Sequence, residues 1–570
     1  MHLPFAHRLL LFLLSFTFGA YSSIENAEIH LSRPLPGVQE NQQFIPQLKP
    51  PKNDDFSDFL DALGVLQDDY FATWQGIWPT SIDWTSAVLG TYLSAALTTI
   101  SRSAGDNANL INKYFSELVA SYFGQDAFAL RQEAYDDMLW VVLGWLESIK
   151  FINVHSELHY SNSTSPWYGT IWTSVFAHRA RLFWDLASQG WDTSLCNGGM
   201  VWSPYLEPYK NAITNELYIT ASISMYLYFP GDDNPSPFSS QSLPRMNTAM
   251  IPPAPPRDPK YLAAAVEGYK WLKGSNMTDS GGLYVDGFHI SGWRKNNTQD
   301  NKRCDSRNEM VYTYNQGVLL SGQRGLYEAT GAKSYLEDGH ELVADVIAAT
   351  GWNLKTDSLL MDHEDNSILG KWHGLGRSGI VEEACDAPGY CSQDGQTFKG
   401  ILFHHLTLFC DPLPDHLVLP DDDVAAQSLE EVRKYHSKQC AKYSNWIKHN
   451  ARAALTTRNK AGKFGMWWGA PVDTAAGRNI PAQIPDQAVD YRNLGTPESW
   501  NGKPFGGGNE TMEANSSGGV EKRGNGNMKG RSEMGIMDLN DRGRGRTVET
   551  QGGGLALLRA QWELVDEVGA

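Results

Sequence analysis

Apolar residues along most of this chain recur at helical rather than strand spacing. From Phe56 onward the pattern predicts helices over 85–103, 108–122, 132–151, 169–189, 209–229, 258–274, 312–330, 332–350, 397–410 and 425–456. The segment YDDMLWVVLGWLESIKF (135–151) is apolar almost all round, which predicts an inner, buried helix instead of a surface one. Strand signals are few and short. The exception is GGLYVDGFH (281–289), whose alternation predicts a hairpin arm. Loops rich in Gly, Pro, Asn and Trp join helices of similar length, as at 196–205, 230–257, 279–287 and 373–391. Paired helices closing into a toroid fit this order. An open helical solenoid is the structural alternative, but no sharp repeat of fixed length supports it.

Three stretches break the pattern. Residues 8–20 run from a basic residue through LLLFLLSFTFGA to small residues, so 1–23 reads as a secretory signal peptide. Residues 24–55, rich in Pro, Gln and Asn, read as an exposed leader. Residues 471–547 are Gly-rich and polar; such a composition buries too little apolar surface to offset chain entropy, and disorder is expected there. The domain reading is therefore a helical unit over 56–470, interrupted by 471–547. The unit is completed by 548–570, where Leu555, Leu558 and Trp562 share one helical face.

Charge and cysteine content narrow the function. A formal charge of −18 argues against nucleic acid and against an anionic membrane surface as partner. No further segment is apolar enough to span a bilayer, so no stable transmembrane anchor is expected. The 6 Cys form an even count, which in a secreted chain implies disulfides; Cys385 and Cys391 flank a short loop they could close locally. No CxxC pair or His cluster suggests zinc, and no metal or cofactor is expected. Sequons stand at Asn162, Asn276, Asn296, Asn509 and Asn515. The 19 Trp and 24 Tyr suit a carbohydrate site, where flat apolar faces meet sugar C–H groups, although many must be core.

Adjacent aspartates are frequent here, so a bare pair says little. Asp136–Asp137 differs because it opens the aromatic, apolar helix. Helix capping and catalysis both account for it: acids near a helix N-terminus meet the positive end of the dipole. Retaining glycoside hydrolysis also needs two neighbouring carboxylates, one as nucleophile and one as acid then base. Successive side chains on a helix diverge by about 100°, and two charges so close raise one pKa, supplying a proton donor.

The order of YDDMLWVVLGWLES (135–148), NGGMVWSPYLEPYKNAITNELYITASISMYLY (197–228), LYVDG (283–287), YTYNQGVLLSGQRGLYEATG (312–331) and FKGILFHHL (398–406) resembles glycoside hydrolase family 76. These are the endo-α-1,6-mannanases, fungal wall-associated members included. The resemblance implies an all-α (α/α)6 barrel and retaining cleavage of α-1,6-mannosidic bonds, with Asp136 as nucleophile and Asp137 as acid/base. It offers Trp202, Asn211, Asn215, Glu216, Asp286, Tyr314, Asn315 and Gln316 as substrate contacts; for Asn215 and Glu216, helix-to-helix hydrogen bonding is the competing role. The implied partners are α-mannan or mannose-containing wall glycans, met by a secreted or wall-trapped monomer. Two other functions remain open on these residues: a transglycosidase using the same covalent intermediate, and a non-catalytic carbohydrate-binding wall protein.

Overall fold

The computed structural model describes residues 54–105, 107–124, 134–236, 251–293, 301–360, 370–415, 417, 426–471, 538–541 and 545–566. The signal peptide, nearly all of the leader and most of 471–547 lie outside the described residues, as do the sequons at Asn296, Asn509 and Asn515.

The chain alternates outer and inner helices. The inner set is α2 (Asp83–Arg102), α4 (Tyr135–Tyr160), α6 (Ala212–Tyr228), α8 (Thr313–Thr330), α10 (Gln393–Cys410) and α13 (Val548–Gln561). Each packs on the next in that order, and α13 returns to α2, so the ring closes. The outer set is α1 (Asp54–Tyr70), α3 (Ala108–Gly124), α5 (Thr173–Ala187), α7 (Pro259–Gly274), α9 (Ser334–Ala348) and α12 (Ser444–Thr456). An additional helix, α11 (Ala426–Ala441), lies against α9 and α10. This is an (α/α)6 barrel. No helix among the described residues is long and apolar enough to cross a membrane.

Burial explains which helices go inside. On α4 every residue from Met138 to Ile149 is buried, and on α6 every residue from Ala212 to Ile223. A helix apolar or small on all sides has no face to give to water. The outer α9 instead buries Leu336, Gly339, His340, Leu342, Val343, Val346 and Ile347, one stripe at helical spacing. Small residues bring the inner helices close. A Cβ on Gly400 of α10 would lie 2.7 Å from the Cα of Gly553, so α10 and α13 meet backbone to backbone. All six cysteines pair, as Cys196–Cys304, Cys385–Cys391 and Cys410–Cys440.

Four sequence expectations change. Helix α1 was not assigned, although Phe56, Phe59, Leu63 and Leu66 line one face of it. Helix α4 continues nine residues past 151 because Ile152 and His155 stay on its buried side. The single segment 425–456 is two helices, broken at Lys442–Tyr443. The arm at 281–289 is the central strand of an antiparallel sheet, β1 (Tyr209–Asn211), β2 (Val285–His289) and β3 (Ser306–Val311), not one half of a hairpin.

Candidate active site

The N-terminal turns of the inner helices converge on a cleft of about 630 Å³. Trp84 of α2, Asp136, Asp137 and Trp140 of α4, Asn211 at the cap of α6, Tyr314 of α8, and Asp394 and Phe398 of α10 all line it. The acids Glu207, Asp286 and Glu383 join Asp136, Asp137 and Asp394 there, and among the described residues no Lys or Arg does. Positive potential comes instead from the helix N-termini.

Asp136 and Asp137 stand in the first turn of α4 and also line the cleft. The Asp137 carboxylate accepts the backbone N–H of Ala134 at 3.1 Å, and that of Asp136 accepts the N–H of Asp137 at 3.1 Å. The second oxygen of Asp136 accepts the indole N–H of Trp202, also at 3.1 Å. Burial, and next the charge of Asp137, push the Asp136 carboxyl well above the usual carboxylate range, against the pull of these donors. Two acids in this position titrate as a unit that holds one proton over a wide range.

Trp202 is itself held from two sides. Its carbonyl accepts the N–H of Tyr135, and its N–H donates to the carbonyl of Tyr209. The loop before it is braced from α6. Asn215 accepts the N–H of Met200 at 2.7 Å and donates to the carbonyls of Met200 and Asn211. The buried Lys210 donates to the carbonyls of Gly199 and Asp192, and Cys196–Cys304 ties the loop to the approach of β3.

The sheet supplies a second polar group. Tyr209 donates its hydroxyl to Asp286 at 2.5 Å, and the Asn308 amide donates to both, at 3.0 Å to Tyr209 and 2.8 Å to Asp286. Asp286 sits where the β2–β3 register shifts, between Val285 and Gly287, and such an irregularity re-aims a side chain. Gly287 permits the strands to meet, since a Cβ there would lie 2.5 Å from the carbonyl oxygen of Lys210. Burial first, then Asp286, raises the Tyr209 phenol well above its ordinary value.

Aromatic faces flank the acids. Trp84 stacks on Trp140 with centroids 5.6 Å apart, and Tyr314 stacks on Phe398 at 3.8 Å. The Trp84 indole donates to Asp394 at 2.9 Å.

Of the residues singled out from the sequence, Asp136, Asp137, Trp202, Asn211, Asp286 and Tyr314 meet in this cleft. Asn215, Glu216, Asn315 and Gln316 are fully buried and do not line it. The Gln316 amide is committed to the backbone of Tyr284 and Tyr312. Glu216 and Asn315 face the barrel interior with no hydrogen-bond partner among the described residues. Burial, and less so Asp286, raises the Glu216 carboxyl well above its usual range. Sequence reasoning missed Trp84, Tyr209, Asn308, Glu383, Asp394 and Phe398. The density of acids in VEEACDAPGYC (381–391), at the entrance to a loop closed by its own cysteines, is the one local signal.

Two groups have metal-like composition, His340–His436–Cys440 and Cys385–Asp386–Cys391. Neither offers a thiolate, because each cysteine is in a disulfide. The first is also spent on internal hydrogen bonds, His340 to Tyr443 and His436, and His436 to the carbonyl of Phe409.

Residues 256–479 match the model of glycosyl hydrolase family 76. The mannan endo-1,6-alpha-mannosidases DCW1 of Candida glabrata and Saccharomyces cerevisiae are 24% and 25% identical to this chain. Each alignment covers 40% of this chain and 38% of the relative, so the matched part spans well under half the length of those proteins. Among solved structures, the GH76A alpha-1,6-mannanase of Salegentibacter sp. HEL1_6 is similar over 90% of this chain and 100% of its own, with TM-score 0.48 and 16% identity. The family match takes in β2, β3, α8 and α10, and with them Asp286, Tyr314 and Glu383, whereas Asp136 and Asp137 lie before it. The matched segment, residues 256–479, is similar to glycosyl hydrolase family 76.

Proposed function

We propose that this chain is a secreted retaining glycoside hydrolase that cleaves α-1,6-mannosidic linkages by double displacement. The observation that carries the reading is the Asp136–Asp137 pair at the head of buried α4, sharing the cleft with stacked aromatics. In the first step an Asp136 oxygen bonds to the anomeric carbon. The glycosidic C–O bond breaks, and the leaving oxygen takes the proton held by Asp137. In the second, water gives a proton to Asp137 and its oxygen replaces Asp136, which leaves as carboxylate and returns the original anomeric configuration. Trp202 steadies the Asp136 anion through its indole N–H. Asp286, oriented by Tyr209 and Asn308, accepts sugar hydroxyls. Asn211, whose buried carbonyl oxygen has no partner among the described residues, does the same.

Transfer to a sugar hydroxyl instead of water is the second reading. The aromatic wall of Trp84, Trp140, Tyr314 and Phe398 favours it, because it offers stacking surface for an acceptor pyranose beyond the scissile bond. Incubation with linear α-1,6-mannan, with products sized and their anomers followed by NMR, separates the two. Shortened chains of retained configuration mean hydrolysis, and chains longer than the substrate mean transfer. Inverted products, or binding with neither outcome, would end the proposal. Secretion rests on the 1–23 segment and the paired cysteines; mass spectrometry of material secreted from a eukaryotic host should find a mature start near residue 21–24.

A further inference from the structure

Glu383 lines the cleft although it was not among the expected contacts, and it is almost fully buried. Its carboxyl is held by one oxygen only. Oε1 accepts the backbone N–H of Thr313 at 3.1 Å and the Thr313 hydroxyl, which fastens it to the N-terminus of α8 one residue before Tyr314. No donor among the described residues reaches Oε2. The nearby ammonium does not serve it: Lys399 donates to Asp386 at 2.5 Å. The neighbouring Arg377 pairs with Glu382 at 3.1 Å.

The backbone around Glu383 is fixed as firmly as its side chain. Its N–H donates to the Asp386 carboxylate at 3.0 Å, its carbonyl accepts the N–H of Asp386 at 2.9 Å, and Cys385–Cys391 closes the turn. A buried carboxyl oxygen without a donor is left with an uncompensated desolvation cost. Glu383 lines the cleft while Oε2 itself is covered, so a ligand that uncovers this oxygen meets an acceptor no described protein group has taken.

We propose that Glu383 is a specificity-determining residue of the cleft, its Oε2 accepting one hydroxyl hydrogen of the bound sugar. The inference rests on the mannoside reading above and names a contact that reading does not need. Burial raises the Glu383 carboxyl to about 7, against the pull of Lys399 and Thr313. Above that pH Oε2 is a bare acceptor, whereas below it Oε2, the oxygen Thr313 leaves free, carries the proton, so the binding measurements belong above about pH 7.

The test is calorimetry on the full chain carrying Asp136→Asn, so that ligand is not consumed, with and without Glu383→Gln. Glutamine keeps its carbonyl oxygen on the two Thr313 donors and turns its NH2 into the cleft, replacing acceptor by donor. α-1,6-Mannotriose should bind about 10- to 100-fold more weakly to the Glu383→Gln form. In a series of monodeoxy trisaccharides, one position should cost a similar factor in the Glu383 form and nothing further in Glu383→Gln. Affinity within twofold, or equal losses in both forms at every position, would overturn the inference while leaving the mannoside reading intact. If neither form binds any α-1,6-mannoside, the underlying reading falls and takes this one with it. Should Glu383→Gln fail to fold, Glu383→Asp, which withdraws the oxygen by one methylene, is run through the same series with the same two outcomes.

Discussion

The two ends of the barrel treat buried charge in opposite ways. At the C-terminal ends of the inner helices the charges are matched. Arg324 pairs with Glu328 at 2.7 Å and donates to the carbonyls of Phe409, Asp411 and Pro412; Arg102 pairs with Asp411, Lys150 with Glu147 and Arg559 with Glu563. At the N-terminal ends six acids line the cleft with no Lys or Arg among the described lining residues, and oxygens of Asn211 and Glu383 have no hydrogen-bond partner among the described residues. Charges satisfied inside the protein hold the ring together. Polar atoms left unmet at the other end are a cost that only a ligand offsets.

Substitution at each end should therefore move a different quantity. Asp136→Asn is expected to lower turnover of α-1,6-mannan by a factor of about 10⁴ or more, as loss of a covalent nucleophile does. It should leave Tm unchanged or raised, because it removes one of two repelling acids. A fall in Tm with activity retained would erase the contrast. At the far end, Arg324→Ala strands Glu328 and three carbonyls. It should cost about 3–5 kcal/mol in denaturant unfolding, with kcat of the folded fraction unchanged.

The pH limbs of stability should also divide by region. Towards the far end, burial holds His405 and His340 down to about 3, and His436 and His155 down to about 4. Such groups fold neutral, so their contribution is complete above about 6.5 and is lost as pH falls towards their folded values. Beside the cleft, burial raises Glu382 and Glu383 to about 7. Their contribution is complete below about 4.5 and is lost as pH rises through about 7. A Tm-against-pH curve should peak between the two. His405→Gln should flatten its acid limb and Glu382→Gln its alkaline limb, each by an amount on the order of 1–3 kcal/mol. Swapped limbs would contradict the division.

The smallest effect sharpens the site itself. Trp202→Phe removes one donor to Asp136 while keeping an aromatic face, so kcat/KM should fall about tenfold. Losing a hydrogen bond to the charged form raises a carboxyl pKa, so the acid limb of the rate profile should move to higher pH.

Helix α4 shows what local sequence can carry. Its all-round apolarity announced an inner helix, and the acids at its head announced a cleft. The same reasoning faltered wherever side-chain direction decided the outcome. Asn215 and Gln316 look like contacts because amides on buried helices need partners, yet their partners are the backbone of the Met200 loop and of Tyr284. Trp84, Asn308 and Glu383 stand far apart in the chain and meet only because the ring brings five helix ends and a sheet together. Helix α1 was overlooked because its short apolar stripe is hemmed by aspartates at both ends, Asp54–Asp55 and Asp68–Asp69.

The contact of α13 with α10 and α2 bears on how the molecule is made. The first inner helix waits for a neighbour that is synthesised last, across the longest interval between consecutive inner helices. Until Gly552 and Gly553 arrive, Leu89, Tyr92 and Gly400 lack the α13 backbone they pack against. Closing a long loop costs only slightly more entropy than closing a short one, but contacts so remote in sequence form slowly. A nascent chain therefore holds an open arc of helices, with one apolar seam in water, until its final turn is added. Folding assistance on the nascent chain should concentrate on that seam.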